Sequence, residues 1–402
     1  MKKKIIFIGF NKSIHTTRWI NQLVLTNYKI YLIPSFFNLE KNSILSDKII
    51  QISPFPLNYF SKISTSKHKL LKFIFHLASL FGNILYNKSR YKLFVYKNIK
   101  KIKPDLVHSL ETQSAGYLVL DIKNKYYSNS KFPTWWHTNW GSDFYLFSNL
   151  KNHNIKIKDL LNNIDYYSCE SIRDKLLAEK LGYKGITLST YPNTGGFDLN
   201  LLEQLKNNIQ LIPSERKLIM IKGYQGWAGR ALTILSSFRL IKNELKNFHI
   251  KIFSNPDGND IKIYADLLVA QEGLDIEILP HLDHRTMLEY FSKSRIYVGA
   301  SISDGISTSF LESLATGCFP IQSNTSSADE WAIHATSAFF FNPEDPKEIA
   351  NCIKTALLDN NLVNNAASIN WETTKNRLNH DDLKILTNQN YLNILYNKNL
   401  KK

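Results

Sequence analysis

The densest group of side chains able to do chemistry lies in Ser301-Ile302-Ser303-Asp304-Gly305-Ile306-Ser307-Thr308-Ser309-Phe310-Leu311-Glu312. An apolar run ends just before it, Gly305 turns the chain, and Ser307 and Thr308 suit a helix N-terminus whose exit is Gly317. Amides exposed at such a terminus attract an anion such as a diphosphate. Gly305, Ile306, Ser307 and Thr308 are therefore expected contacts of a phosphate-bearing ligand. Glu312 falls two turns into the same helix beside Phe310, Leu311, Leu314 and Ala315, where a carboxylate needs a partner. Two vicinal hydroxyls, as a ribose presents them, would supply one. The alternative is structural, with Asp304 capping the helix and Glu312 paired to a nearby cation.

A second constellation is Lys222-Gly223-Tyr224-Gln225-Gly226-Trp227-Ala228-Gly229-Arg230, a strand end and a glycine-rich loop leading into a helix that begins near Arg230. Glycine lets backbone approach a ligand, and Lys222 and Arg230 are placed to neutralise a diphosphate as it leaves. Gly223, and Ser254 at the end of the following strand, join the donor-side candidates. The alternative is a surface loop with solvated bases. Near the N-terminus, Asn11, Ser13 and His15 follow the first strand and lead into a helix. Trp135-Trp136-His137-Thr138-Asn139-Trp140-Gly141-Ser142-Asp143 occupies another strand end, where aromatic and polar groups can stack on and hydrogen-bond a sugar. His137 and Asp143 are candidates there, with Glu111 as a weaker one; a histidine after two tryptophans is equally well read as a satisfied core residue.

The 301–321 segment resembles the retaining glycosyltransferase family 4, also called glycosyl transferases group 1. Its signature is a pair of acidic residues with seven between them, matched by Asp304 and Glu312, and Leu311-Glu312-Ser313-Leu314-Ala315, Gly317-Cys318-Phe319-Pro320-Ile321 and Asp329-Glu330-Trp331 are similar to the rest of the donor motif. The resemblance implies a GT-B fold and hexosyltransferase-type activity from a nucleotide diphosphate sugar. It implies that Asp304 contacts the donor sugar, that Glu312 holds the ribose, and that Lys222 and Arg230 stabilise the leaving diphosphate. Family members carry an arginine and a lysine after this strand; here their order is reversed and their spacing longer. Asp304 stands where the usual residue is Glu, which shortens its reach. Retention by front-face attack follows from the same resemblance.

These groups need elements to hold them. Short apolar, β-branched runs alternate with amphipathic stretches, the pattern of parallel sheets covered by helices. Strands are expected at 4–10, 29–36, 105–110, 134–137, 164–168 and 185–189, and again at 217–224, 249–254, 275–279, 295–300, 318–322 and 338–342. Tyr191-Pro192-Asn193-Thr194-Gly195-Gly196 punctuates the chain between the two series. The expected fold is therefore α/β, GT-B, with two Rossmann-like doubly wound parallel-sheet domains facing a central cleft. Residues 1–195 form the acceptor-binding domain, 196–370 the donor-binding domain, and 371–402 a helical tail packing back on the first. Ligands of such sheets bind outside the carboxyl ends of the strands, where the candidates above sit.

Composition narrows the rest. A chain of 402 residues with 44% hydrophobic content exceeds one ordinary core and is not disordered. Cys169, Cys318 and Cys352 stand far apart without metal-ligand spacing, which suits a reducing compartment and no structural zinc. The apolar run after Lys2-Lys3-Lys4 is too short for a signal sequence, and no apolar run is long enough to span a bilayer. A cytoplasmic protein is expected, peripheral on the inner face of the cytoplasmic membrane.

The net charge of +16 is lopsided, because no Asp or Glu occurs in the basic 48–104 region, which also carries the apolar run from Leu70 to Phe81. An anionic membrane surface is the expected partner, and a saccharide or lipid-linked acceptor for cell-surface polysaccharide or lipopolysaccharide is the expected co-substrate. Nucleic acid is not expected. A solvated lysine face is the plain alternative. No zinc-protease, Walker or hydrolase-elbow motif occurs and the acidic clusters at Asp275-Ile276-Glu277 and 257–260 are loose, so no cofactor and metal-independent transfer are expected. Competing readings are a nucleotide-sugar epimerase on the same fold, a non-catalytic sugar-nucleotide sensor, and a non-enzymatic basic protein binding membrane or nucleic acid.

Overall fold

The computed structural model describes residues 2–24, 26–38, 40–54, 88–255 and 259–396. The apolar run from Leu70 to Phe81, Lys62, Lys67, Lys69 and Lys72 of the basic region, and Asp257, lie outside them. The chain divides into two compact units, Met1–Gly195 with Lys384–Lys402, and Gly196–Leu383.

The first unit is built on a parallel sheet of seven strands: β1 (Lys4–Gly9), β2 (Lys29–Pro34), β3 (Ile50–Gln51), β4 (Leu106–Leu110), β5 (Thr134–Thr138), β6 (Tyr166–Ser168) and β7 (Ile186–Thr187), in the spatial order β3-β2-β1-β4-β5-β6-β7. Period two sorts the side chains of β1. Ile6 and Ile8 face a core with Val107, Trp135 and Leu160, while Phe7 turns to a face where His108, Trp136, Trp19 and Tyr391 cluster.

The second unit holds β8 (Leu218–Lys222), β9 (His249–Phe253), β10 (Asp275–Ile278), β11 (Ser294–Gly299), β12 (Phe319–Ser323) and β13 (Phe339–Phe341), all parallel in the order β10-β9-β8-β11-β12-β13. Ile219 and Ile221 pack one face with Ile250, Ile252, Ile296 and Val298. Met220 and Tyr297 pack the other with Phe253, Phe310 and Leu314. Each fully buried aliphatic side chain contributes about 1.5–3 kcal/mol, so both faces of this sheet are committed to core and only the strand ends remain for chemistry.

All twelve runs expected to be strands form one, with ends that differ by up to two residues. Among the described residues the strand not anticipated is β3, whose two residues pair with Tyr31 and Leu32 and are too few to show an alternating pattern. The second unit continues past Trp371 through the helix Asn360–Arg377, and the last helix, His380–Tyr396, starts in the second unit and finishes in the first. In the basic region the helix Lys88–Ile102 buries Tyr91, Val95 and Ile99 along one stripe and leaves Lys88, Lys97, Lys100 and Lys101 exposed. No helix among the described residues is long and apolar enough to cross a membrane.

Candidate active site

At the carboxyl ends of β8 and β11 three of the expected residues meet. The Lys222 ammonium donates to the Ser307 hydroxyl at 3.2 Å and stands 3.7 Å from an Asp304 carboxylate oxygen. They come from two loops fastened together by backbone hydrogen bonds, Ile302 N–H to the Ala228 carbonyl at 2.8 Å and Arg230 N–H to the Ala300 carbonyl at 3.0 Å. Gly229 makes this possible, because a Cβ there would lie 2.1 Å from the Tyr224 carbonyl oxygen. Gly223 has a different reason, since a Cβ would meet Ile252 at 2.7 Å and the Phe253 backbone at 3.0 Å, so glycine lets the ends of β8 and β9 close on each other. Ser254, one residue beyond β9, is exposed and adopts the left-handed backbone at φ 52°.

The helix Thr308–Thr316 starts at Ser307 and ends on Gly317, whose φ of 72° closes it in the left-handed conformation. Ser307 makes no side-chain cap; its hydroxyl faces Lys222 instead. One carboxylate oxygen of Asp304 accepts from the Gly305 amide at 2.8 Å. The helix N-terminus thus lies beside an ammonium group with its own cap residue turned away, an arrangement suited to an anion. Ile306 is buried against Phe310 and Leu314 and anchors the loop, and Thr308 opens the helix half-buried.

Glu312, in the second turn, is buried, and its carboxylate meets His284 Nε2 at 3.0 Å. The partner that the carboxylate needed is an imidazole from the helix His284–Ser292, which sequence reasoning missed. The signal for it was the strand end at β10 followed by Asp283, whose carboxylate caps that helix. Arg230 was expected beside Lys222 but meets different groups, the Glu344 carboxylate at 2.6 Å and the Gly229 carbonyl at 2.9 Å. That ion pair is half exposed, worth at most about 1 kcal/mol, so an incoming phosphate can compete for the guanidinium.

In the first unit the candidates are held by structure. Ser13 caps the helix Ile14–Asn21, accepting from the His15 and Thr16 amides. Asn11 donates to the Glu40 carbonyl at 2.8 Å, and the His15 ring packs 5.5 Å from Trp140. His137 is wholly buried between the Ser109 and Thr112 hydroxyls, at 2.9 and 3.1 Å, and burial pushes its imidazole down to about 3. This is the geometry of a satisfied core histidine, with no solvent-facing nitrogen to meet a sugar. Asp143 accepts from the Thr112 and Trp140 amides, both at 2.9 Å, and burial together with the Glu111 charge holds its carboxyl well above the usual range. Glu111 sits at φ 81°, a conformation costly for a residue with a Cβ, and its carboxylate collects the Ser114 and Ala115 amides and so nucleates the turn Thr112–Gly116. Asp143 and His137, both bonded to Thr112, form a buried polar joint between the ends of β4 and β5, with Glu111 half-buried beside it.

The family model of glycosyl transferases group 1 matches residues 204–370, and that of glycosyl transferase 4-like proteins matches residues 90–171. No curated protein matches the sequence. Among solved structures, a sucrose-phosphate synthase of Thermosynechococcus elongatus superposes with a TM-score of 0.71 at 15% identity, covering 97% of this chain and 98% of that one. HepE of Anabaena, in complex with UDP and glucose, gives 0.66 at 12% identity over 97% and 99%. A UDP-forming trehalose-phosphate synthase of Burkholderia xenovorans gives 0.67 at 11% over 99% of both chains. These identities speak for the fold, and the two family models, one in each unit and together spanning more than half of the chain, speak for the kinship. With its strand-end lysine and its two acids with seven residues between them, the chain belongs to the group 1 glycosyltransferases, of GT4 type and GT-B fold.

Proposed function

We propose that the chain is a retaining glycosyltransferase that takes a sugar from a nucleotide diphosphate sugar held on the second unit and passes it to a saccharide or lipid-linked saccharide in cell-surface polysaccharide or lipopolysaccharide synthesis. The observation that carries this reading is the meeting of Lys222, Asp304 and Ser307 at the ends of β8 and β11. The ammonium and the helix amides take the diphosphate and stabilise its charge as it leaves, so the reading needs no metal. Asp304 lies one side-chain length away, in position to orient the sugar, and Glu312 grips the ribose. Sugar donors bound in similar structures, UDP-glucose in HepE and UDP-2-fluoro glucose in an E. coli protein, support a nucleotide-sugar donor.

The test is a thermal melt of wild type and Glu312→Ala against UDP, GDP, ADP, TDP and their common sugars, with and without EDTA. A ligand at a hundred times its dissociation constant adds about 2.7 kcal/mol, a shift of several degrees. We expect one nucleotide series to stabilise wild type in EDTA and to leave the variant unmoved. A response that survives the substitution would remove Glu312 from the donor site, and one abolished by EDTA would reverse the metal-independent reading.

The same reading places the protein on the inner face of the cytoplasmic membrane through the basic 48–104 region. The exposed Lys88, Lys97, Lys100 and Lys101 of the helix Lys88–Ile102 support it, each contributing about 1 kcal/mol near an anionic surface. Cosedimentation with vesicles of phosphatidylglycerol and phosphatidylcholine at low salt is expected to pull the protein down and to fail at 0.5 M salt. Equal pelleting with purely zwitterionic vesicles would contradict an electrostatic anchor.

A further inference from the structure

Glu312 is an expensive side chain to bury. It sits on a helix face shared with Phe310, Leu311, Leu314 and Ala315, its side chain only 8% exposed. A carboxylate so placed must be met by donors, and leaving it unmet costs several kcal/mol. Its partner among the described residues is His284, whose Nε2 lies 3.0 Å from one carboxylate oxygen.

The imidazole is itself held in place. His284 is the first residue of its helix, fixed there by Asp283, whose carboxylate accepts from the Thr286 amide and hydroxyl. Its ring lies nearly parallel to that of buried Phe197, 14° apart in plane with centroids 6.4 Å apart. The side chain keeps 40% exposure, so the dyad sits at the surface of the unit and not within its core.

An ionised carboxylate offers about four lone-pair sites on two oxygens, and a histidine N–H occupies one. Held by His284, whose ring stacks on Phe197, the carboxylate is restrained, and what remains of it is an acceptor fork matched to two neighbouring hydroxyls. We infer that His284 is a positioning residue that aims the Glu312 carboxylate at the ribose hydroxyls, so that the preference for a ribonucleoside diphosphate over its 2′-deoxy form depends on the imidazole. The inference rests on the reading of Glu312 as the ribose-gripping acid and goes beyond it by naming the residue that aims the carboxylate. A 2′-deoxyribose fills one prong of the fork and leaves the other facing apolar surface, a mismatch that polar sites reject strongly. Removing His284 frees the carboxylate to rotate and to be solvated, so the penalty for the missing hydroxyl shrinks.

The experiment is calorimetric titration of wild type, His284→Ala, His284→Gln and Glu312→Ala with UDP, ADP, GDP and CDP and with the 2′-deoxy form of whichever binds. Melting curves without ligand serve as the folding control. For wild type we expect the ribonucleotide to bind at least about tenfold more tightly than its deoxy form, the discrimination of one hydrogen bond to a charged group. His284→Ala is expected to weaken the ribonucleotide about tenfold and leave the deoxy form nearly unchanged, collapsing the ratio. His284→Gln, whose amide N–H reaches the position of Nε2, is expected to recover most of it. Equal wild-type affinity for both forms, or a ratio unmoved in His284→Ala, would overturn the inference while the donor reading stands. Tighter ribonucleotide binding by His284→Ala would also overturn it, because the imidazole would then be competing with the ribose. Failure of all four ribonucleotides to bind wild type would remove the donor reading itself.

Discussion

Lys222→Ala is expected to lower the turnover of the donor by a factor of about 10² to 10³, the range seen when one preorganised charge-stabilising donor is removed from a reacting centre. The substitution removes one hydrogen bond, to Ser307, and one loose ion pair, to Asp304, both at a partly exposed strand end. It leaves the two apolar faces of the sheet intact, so the melting temperature should move little. The measurement is steady-state release of the nucleoside diphosphate from the donor that stabilises wild type, with water or a saccharide as acceptor. Lys222→Arg should recover only part of the rate, because a planar guanidinium cannot occupy the same point between Ser307 and Asp304. Unchanged turnover in Lys222→Ala would move the leaving-group role to Arg230, whose present partner, Glu344, is exposed and easily displaced.

The second large effect concerns stability and a residue near the end of the chain. Tyr391→Ala is expected to destabilise the first unit by about 3–5 kcal/mol, the cost of deleting a fully buried aromatic side chain, and to lower its melting temperature by roughly 10 °C. The Tyr391 hydroxyl accepts from the Trp19 indole N–H at 2.8 Å and meets His108 Nδ1 at 2.7 Å. The other nitrogen of His108 meets Thr138 Oγ1 at 2.7 Å, which in turn lies 2.6 Å from Ser168 Oγ, the acceptor of the Trp136 indole. Every polar group of this buried chain is answered by the next, and burial together with neighbouring His137 holds His108 neutral, well below its ordinary value. Tyr391→Phe keeps the volume but strands the Trp19 N–H and His108 Nδ1, for a smaller loss of about 1–3 kcal/mol. Thermal melts of the two variants check the order; a Tyr391→Ala protein as stable as wild type would show that the last helix does not hold this face of the sheet.

What could be read from the sequence alone was the part governed by neighbours along the chain. A strand is recognisable because β-branched and apolar residues recur over five or six positions, as in Lys4–Gly9 or Ser294–Gly299, and such local repetition survives without knowledge of any partner. β3 was missed because two residues carry no period. The helix from Ser307 to Gly317 was legible for the same reason, since the turn glycine, the cap position and the exit glycine are all local requirements. With it came Asp304 and Glu312, whose spacing is a property of that one loop and helix.

Which groups face one another was decided by tertiary structure. Lys222 and Arg230 look equivalent in sequence, yet the strand end brings the first to Asp304 and Ser307 while the second turns to Glu344, more than a hundred positions away. His137 reads as well for catalysis as for core until β4 supplies Ser109 and the following turn supplies Thr112, which close it from solvent. Gly223 suggests a ligand approach, and the neighbouring strand shows that packing against Ile252 already demands it. His284 had no signal of its own beyond a helix start, because its meaning depends on a carboxylate 28 positions later in another helix. Backbone conformation follows short-range sterics and hydrogen bonding, which a few adjacent residues determine. Side-chain partnership depends on which strand ends the sheet order sets side by side, and only the folded sheet decides that.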